Sequence, residues 1–291
     1  MDDNKLYKAL LKSQEERRQL ELKRGEAKSE ENFRKERPFA GSDRLKPNWV
    51  QVETDDGEHA PTVYDSSVSL ALIGNPKPWS RDQLRERKII YSGMPDKEVM
   101  DAYRELRIQL RNKAGEGNFT VLFSSLGDQG GAVLTAFNIA VSFAMDSHTS
   151  ALLVDCDPYH ADLTKLVSSQ LTSGVTDFVA DSSLKIKDIL YPSGVDRLSI
   201  IPAGTQVSSA VELFAAVRMR DLMNELKARY PDRCIIINAP PFRGNTEARI
   251  LERCADQVVF GVPFGAVTAE EISESVDVLD SDKFSGLVFQ E

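Results

Sequence analysis

The sequence predicts an α/β fold, with a doubly wound, mostly parallel sheet that carries helices on both faces. Three observations support this prediction. From about residue 81 onward, short apolar runs alternate with helical stretches, as they do in strand–helix–strand units. The runs are apolar throughout, which is typical of strands covered on both sides. A glycine-rich turn follows the first run and precedes a helical stretch, at the point where such folds bind ligands.

The individual elements follow from this alternation. We expect strands at residues 119–124, 151–155, 198–202, 234–239, 257–262 and 287–289. We expect helices at residues 97–113, 132–145, 211–230, 246–255 and 269–279. The 211–230 stretch has apolar residues at helical spacing with arginines outside them, which indicates a helix packed on the core.

The first 80 residues differ from the rest in composition. Residues 1–36 contain many charges and no proline, which predicts a charged N-terminal helix that docks a partner or, alternatively, a frayed arm. Residues 37–80 hold five prolines and three glycines among polar residues, which predicts a largely irregular linker. Residues 81–291 then form the predicted α/β domain.

Composition narrows the function classes. The 291 residues carry a formal net charge of -9, so broad binding to nucleic acid or acidic lipid is not expected. No apolar run has the roughly 18 residues that a membrane helix needs, and the charged N-terminus does not fit a signal peptide. Three cysteines without a paired spacing favour a reducing, cytoplasmic location.

The glycine-rich turn spans residues 124–133 and includes Gly127, Gly130 and Gly131. Glycines let backbone amides face a phosphate, and the following helix N-terminus favours an anion. A working phosphate loop also carries a Lys and a Ser or Thr after its last glycine, whereas this chain has Ala132 and Val133. A purely structural turn is therefore the alternative interpretation.

Two aspartates and one asparagine lie where predicted strands end. Asp155 and Asp157 end the second strand and could bind Mg²⁺ or accept a proton, although aspartates at this place also cap helices. Asn238 ends a later strand where a magnesium or water-positioning site would have a carboxylate, and asparagine is a poorer ligand for a hard cation. Histidines and cysteines form no metal-binding spacing.

Several segments, taken together and in this order, resemble the bacterial tyrosine kinases of polysaccharide export. These kinases are part of the deviant-Walker group of P-loop NTPases, which also contains the partitioning and cell-division-site ATPases. The D-A-Y-R-E-L-R sequence at 101–107 resembles their E-x-x-R-x-x-R oligomerisation helix. The I-I-N-A-P-P sequence at 236–241 resembles the strand that carries their Walker B aspartate. Residues 4–10, 14–17, 198–204 and 255–259 extend the resemblance over nearly the whole chain.

The resemblance implies specific roles, and the departures fall where the chemistry should be. Ala132 stands for the phosphate-loop Lys, Val133 for the Mg²⁺-binding hydroxyl residue and Asn238 for the second carboxylate, while Asp155 and Asp157 remain. An arginine usual in the family corresponds to Tyr159, and a tyrosine-rich tail is expected to be missing after Glu291.

The resemblance also implies that Asp101, Arg104 and Arg107 mediate assembly into an oligomer; the alternative is a solvated basic stripe on one helix face. We expect a catalytically degenerate, cytoplasmic regulatory or scaffolding subunit of exopolysaccharide or capsule synthesis and export, with no cofactor. Its expected partner is the cytoplasmic face of a membrane polysaccharide co-polymerase or an active tyrosine kinase. The alternative is an active tyrosine kinase or ATPase that uses ATP and Mg²⁺ on Asp155 and Asp157. A partitioning-type positioning protein is a weaker third hypothesis.

Overall fold

The computed structural model describes residues 77–115, 117–127, 131–146, 149–229 and 233–290. The predicted N-terminal helix at 1–36 lies outside the described residues, and so does all but the end of the predicted linker at 37–80. The domain boundaries therefore stay predictions.

A seven-stranded, mostly parallel sheet organises the described ranges. Its strands are β1 (Phe119–Ser125), β2 (Ser150–Asp155), β3 (Tyr191–Pro192), β4 (Leu198–Ile201), β5 (Arg233–Ala239), β6 (Gln257–Pro263) and β7 (Phe284–Gln290). They lie in the order β3-β4-β2-β5-β1-β6-β7. Every neighbouring pair is parallel except β3 with β4, which confirms the predicted fold class.

Helices cover both faces of this sheet. They are α1 (Arg81–Glu86), α2 (Lys97–Ala114), α3 (Ala132–Ala144), α4 (Val175–Ala180), α5 (Ile186–Ile189), α6 (Val211–Ala215), α7 (Val217–Arg229), α8 (Thr246–Glu252) and α9 (Ala269–Asp277). On β1, Val121 and Phe123 pack on the α2–α3 side, whereas Leu122 packs on the side of α7 and α8. Both faces of the central strands are therefore buried, which is why these runs are apolar throughout.

The structure differs from the predicted elements in three places. The predicted helix at 211–230 is two helices, because Ala216 adopts extended backbone (ψ 150°) between them. The short helices α1, α4 and α5 and the two-residue strand β3 were not expected from the alternation. Strand β7 begins at Phe284, three residues before the expected start, because Phe284 and Gly286 already pair with β6 although Ser285 and Gly286 interrupt the apolar pattern.

Trp79 fixes the start of the described chain against the domain. Its backbone N–H donates to Gly194 O at 2.9 Å, its indole Nε1–H donates to Leu166 O at 3.0 Å, and the Arg87 guanidinium lies 4.0 Å over its ring. Gly194 has φ +97°, and a Cβ there would lie 2.8 Å from the Trp79 ring. Glycine is therefore required at position 194 both for its backbone angle and for the space that the indole fills.

Replacing Gly194 by alanine should destabilise the domain more than the same change at Gly93. Gly93 also has positive φ, but a Cβ there would have nothing within 4 Å. Gly93→Ala should therefore lower the free energy of unfolding only by the cost of a left-handed alanine, about 1–2 kcal/mol. Gly194→Ala should lower it further, because the new Cβ also displaces Trp79. Urea unfolding of the full chain measures both free energies. Equal losses in the two variants would mean that the indole contact contributes nothing.

Candidate functional site

The candidate site lies at the edge of the sheet where β1, β2 and β5 end. β1 lies beside β5, and β5 lies beside β2 in a register that sets Asp155 opposite Asn238. The Ser124 hydroxyl donates to Pro240 O at 2.6 Å, which ties the end of β1 to the segment that follows β5. The structure therefore brings the glycine turn and the polar ends of β2 and β5 to one edge of the sheet.

The glycine turn joins β1 to the N-terminus of α3. The backbone N–H of Gly127 donates to Ser125 Oγ at 3.2 Å, and a Cβ at Gly127 would lie 3.1 Å from Pro263 Cγ. Gly131 is the N-cap of α3, with φ +107° and no side-chain cap bond. Residues 128–130, including the predicted site residue Gly130, lie outside the described part of the turn.

Ala132 and Val133 form the first turn of α3. The Val133 side chain is 8% exposed and belongs to the hydrophobic core on the α3 side of the sheet, with Ala132 packed against that core. Both side chains therefore fill space in the domain. They bring neither the ammonium nor the hydroxyl that would bind phosphate oxygens and a hydrated cation at this place.

Asp155 and Asn238 form a buried hydrogen bond between β2 and β5. The Asn238 side-chain Nδ2–H donates to Asp155 Oδ1 at 2.8 Å, and the Asp157 N–H donates to the same oxygen at 3.1 Å. Burial raises the pKa of the Asp155 carboxyl to about 7, and these two hydrogen bonds oppose the rise. Asn238 Oδ1 is buried and has no hydrogen-bond partner among the described residues.

Asp157 is held in the turn after β2. One carboxylate oxygen accepts the Tyr159 N–H at 3.1 Å, and the other lies 2.9 Å from the His160 Nδ1. The first bond is a local aspartate turn of the kind that also organises loops. Asp157 thus has a structural role, which the sequence analysis treated as the alternative to cation binding.

Tyr159 occupies the position where the resemblance to the tyrosine kinases implies an arginine, and its hydroxyl links three segments by hydrogen bonds. Its hydroxyl donates to Glu247 Oε1 on α8 and accepts the Ala210 N–H at 3.2 Å. Burial and the Glu247 carboxylate raise the pKa of this phenol. Glu247 is 6% exposed and was missed by sequence reasoning, because an acidic residue in the first turn of a helix ordinarily indicates dipole compensation at the surface.

A small cavity lies between these groups. It has a volume of about 30 Å³ and is lined by residues that include Gly127, Gly131, Val133, Asp157 and Asn238. That volume is about the space that one water molecule fills. No Lys or Arg is among the described residues that line it, and the titratable side chains there are Asp157, His160 and Asp162.

The donor set does not fit a directly bound Mg²⁺. Magnesium takes near-octahedral oxygen ligands, but the Asn238 amide directs an N–H at Asp155, and Asp157 is occupied by Tyr159 N–H and His160. The described residues contain no group of three or more His, Cys, Asp or Glu side chains that could hold a metal ion. We therefore derive no step that uses a metal here.

The predicted assembly residues lie at the other end of α3. Arg107 donates from Nη1 to Ser142 O at 2.7 Å, and Arg104 pairs with Asp101 at 2.9 Å on the surface of α2. Ser142 is in the last turn of α3, whereas the glycine turn precedes its first residue. Because α3 has 13 residues at about 1.5 Å each, the structure does not bring these arginines into the candidate site. Their role in assembly stays a prediction.

Comparisons of sequence confirm the resemblance to bacterial tyrosine kinases. The chain is 22% identical over 199 residues to the tyrosine-protein kinase Wzc of Salmonella typhimurium, covering 68% of this chain and 27% of Wzc. It is 26% identical over 248 residues to EpsB of Ralstonia nicotianae, a protein assigned as a tyrosine-protein kinase, covering 84% of this chain and 32% of EpsB. The chain thus spans about a third or less of the length of these relatives. No protein-family model matches it.

Solved structures support the same fold. The kinase domain of the Escherichia coli tyrosine kinase ETK superposes with a TM-score of 0.61 at 21% identity, covering 74% of this chain and 88% of that domain. The BceF tyrosine kinase domain gives 0.58 at 21% identity, with 77% and 97% covered. The chimeric protein CapA2B2 gives 0.62 at 17% identity, with 77% and 98% covered. At these identities the likeness establishes the architecture alone.

None of the helices in the described ranges combines the length and the apolarity that a bilayer span requires.

The buried Asp155 carboxyl should make the stability of the domain depend on pH. Its folded pKa of about 7 lies above its ordinary value of 3.8, so between these values the folded state keeps a proton that the unfolded state releases. The free energy of unfolding should therefore fall as pH rises from 4 to 7, by up to about 1.4 kcal/mol for each pKa unit of difference.

Chemical denaturation at several pH values tests this dependence against two variants. Asp155→Asn keeps a side-chain acceptor for Asn238 but does not titrate, so it should lose this part of the slope and be more stable than the parent chain at pH 8. Asp196→Asn changes an exposed aspartate and should keep the parent slope. A slope that is the same in the parent and in Asp155→Asn would show that Asp155 ionises freely in the folded chain.

Proposed function

We propose that the chain is a catalytically degenerate relative of the bacterial tyrosine kinases and acts as a regulatory or scaffolding subunit in exopolysaccharide or capsule synthesis and export. One observation carries the proposal. At the end of β5, the Asn238 amide donates to Asp155 at 2.8 Å, so the strand end that would hold a second carboxylate instead places a neutral amide against the first. The similarity to bacterial tyrosine kinases is the reason for proposing exopolysaccharide or capsule synthesis and export as the process.

Electrostatics support a loss of phosphoryl transfer. Efficient transfer depends on a lysine and a metal ion to neutralise charge that develops on the phosphoryl oxygens. At the lysine and hydroxyl positions this chain has Ala132 and Val133, and Val133 is in the core. Loss of one partner from a buried charge pair typically costs about 2–5 kcal/mol, and each 1.4 kcal/mol is about a tenfold loss in rate or affinity. Three such losses in one site leave little turnover.

A scaffolding role needs a partner and a location, and both are parts of the proposal. The partner is the cytoplasmic face of a membrane polysaccharide co-polymerase or an active tyrosine kinase with which the chain assembles. The chain works in the cytoplasm and reaches the membrane through that partner. It needs no nucleotide to hold its shape, because the residues at the phosphate-loop positions already pack against its own core.

The chain should not bind nucleotide at millimolar concentration. Titration of ATP and of ADP with Mg²⁺ into the full chain, followed by calorimetry, should give no binding heat. The variant Ala132→Lys/Val133→Thr/Asn238→Asp restores the three groups, and it should bind at least about tenfold more tightly than the parent chain. Asn238→Asp alone is the matched control and should not bind, because it adds a second carboxylate beside Asp155 without a cation.

Tight, Mg²⁺-dependent binding to the parent chain would contradict the proposal. It would instead support the active kinase or ATPase, in which Asp155 and Asp157 bind Mg²⁺. Asp157→Asn should then abolish any turnover of ATP, and turnover that survives this change would exclude that alternative as well.

The assembly role of α2 gives a second test. If Arg104 and Arg107 contact a neighbouring subunit, Arg104→Ala/Arg107→Ala should lower the mass of the oligomer measured by light scattering. Arg220→Ala, which removes an exposed arginine from α7, is the control and should leave the mass unchanged. An unchanged mass in the double variant would restrict these arginines to contacts within the chain, such as the bond from Arg107 to Ser142 O.

A further inference from the structure

A groove lies at the end of α3 that is remote from the glycine turn. It has a volume of about 390 Å³ and is bounded by α2, by the C-terminal turn of α3 and by the turn between β3 and β4. We name it the α2–α3 groove. Its size falls within the range of small-molecule sites, about 300–1,000 Å³, and it is separate from the candidate site at the glycine turn.

The floor of the α2–α3 groove is apolar. Trp79, Leu84, Ile90, Met100 and Val141 line it. Trp79 is held in place by its indole bond to Leu166 O, and Ile90 donates its backbone N–H to Asn138 Oδ1 at 3.0 Å. The floor is therefore built from side chains with fixed positions, which is typical of a preformed binding surface.

Two half-buried arginines stand over this floor. Arg107 donates from Nη1 to Ser142 O at 2.7 Å, and Arg197 donates from Nε to Ala144 O at 2.8 Å. Both carbonyls are in the last turn of α3, which has no basic residue of its own. Capping a helix C-terminus is thus one role of these arginines.

Capping uses only part of what the two guanidinium groups offer. Each has five N–H donors, and within the described ranges each makes a single hydrogen bond and no ion pair to a carboxylate. The C-terminus of α3 supplies about half of a negative charge, against two positive charges. Asp196 is the one carboxylate that lines the groove, and it is exposed. The groove therefore keeps a positive surplus.

Arg197 also occupies an uncommon backbone conformation. Its φ is +60°, in the left-handed region, which costs a residue other than glycine roughly 1–3 kcal/mol. The Ala151 N–H donates to Arg197 O at 3.0 Å, and together with the Nε bond this holds the guanidinium at the groove. The fold thus keeps an arginine where a glycine or asparagine would be less strained.

We propose that the α2–α3 groove binds a small organic oxyanion: a phosphate or carboxylate group attached to an apolar body. The oxyanion accepts hydrogen bonds from the free N–H groups of Arg107 and Arg197, since guanidinium groups match the geometry of both acids. The apolar body covers the floor of Trp79, Met100 and Val141. This site is separate from the proposed loss of kinase chemistry and does not depend on it.

Calorimetric titration of 1-naphthyl phosphate into the full chain tests the site directly. Inorganic phosphate and 1-naphthol each carry half of the proposed recognition, so both should bind more weakly than 1-naphthyl phosphate. 1-Naphthoate distinguishes a carboxylate preference from a phosphate preference. No binding of 1-naphthyl phosphate or 1-naphthoate at millimolar concentration, or equal binding of 1-naphthol, would overturn the proposal.

A pair of variants at Ser92 tests the charge without disturbing the helix cap. Ser92 lines the groove and is exposed. Ser92→Glu places a carboxylate beside the arginines and should weaken binding of 1-naphthyl phosphate by about tenfold or more. Ser92→Gln introduces a side chain of nearly the same shape as glutamate but without charge, so this variant should bind as the parent chain does. Equal binding by the two variants would overturn the proposal.

Arg197→Gln provides an independent check, and Arg220→Gln is its charge-matched control. The groove variant should lose at least about tenfold in affinity for 1-naphthyl phosphate, and the control should lose none. If Arg197→Gln does not fold, the Ser92 pair alone decides the result, because neither Ser92 variant touches a bond to α3.

Discussion

The buried bond between Asn238 and Asp155 is the interaction on which the candidate site depends. Both faces of the central sheet are covered, so polar side chains on β2 and β5 can lie only where the strands end. There the amide donates to the carboxyl at 2.8 Å, and burial holds the pKa of Asp155 near 7. An amide beside a carboxyl that protonates near neutrality needs no counterion. This edge of the sheet is therefore stable without a lysine or a metal ion.

Helix α3 connects this edge to the opposite end of the domain. Its N-terminus follows the glycine turn, where the described cavity residues include no Lys or Arg. Its C-terminus is capped by Arg107 and Arg197. A P-loop fold ordinarily concentrates positive charge near the start of this helix. Among the described residues, Arg107 and Arg197 contact α3 at its C-terminal end and have no carboxylate partner.

The sequence predicted the features that depend on local pattern. Apolar runs alternating with helices gave the sheet and the position of the glycine turn, because burial on both faces imposes that pattern. The break at Ala216 was not predictable, because neither proline nor glycine marks it in the sequence. The contact of Glu247 with Tyr159 and the α2–α3 groove were missed for another reason. Each brings together segments that are far apart in sequence, and such contacts leave no local sequence signal.

The scaffold and the chemistry of a phosphate loop have separate physical requirements, so the proposed loss of phosphate chemistry is compatible with a retained fold. Packing of α3 on the sheet needs apolar side chains after Gly131, and Ala132 and Val133 supply them. A lysine there would serve only a bound anion, since its charge would otherwise have to reach solvent. Likewise Asn238 fits the strand end beside Asp155 better than a second buried carboxylate would, because two adjacent carboxylates raise each other's cost of ionisation. Once phosphate binding is not required, the residues found here are the ones that favour the folded state.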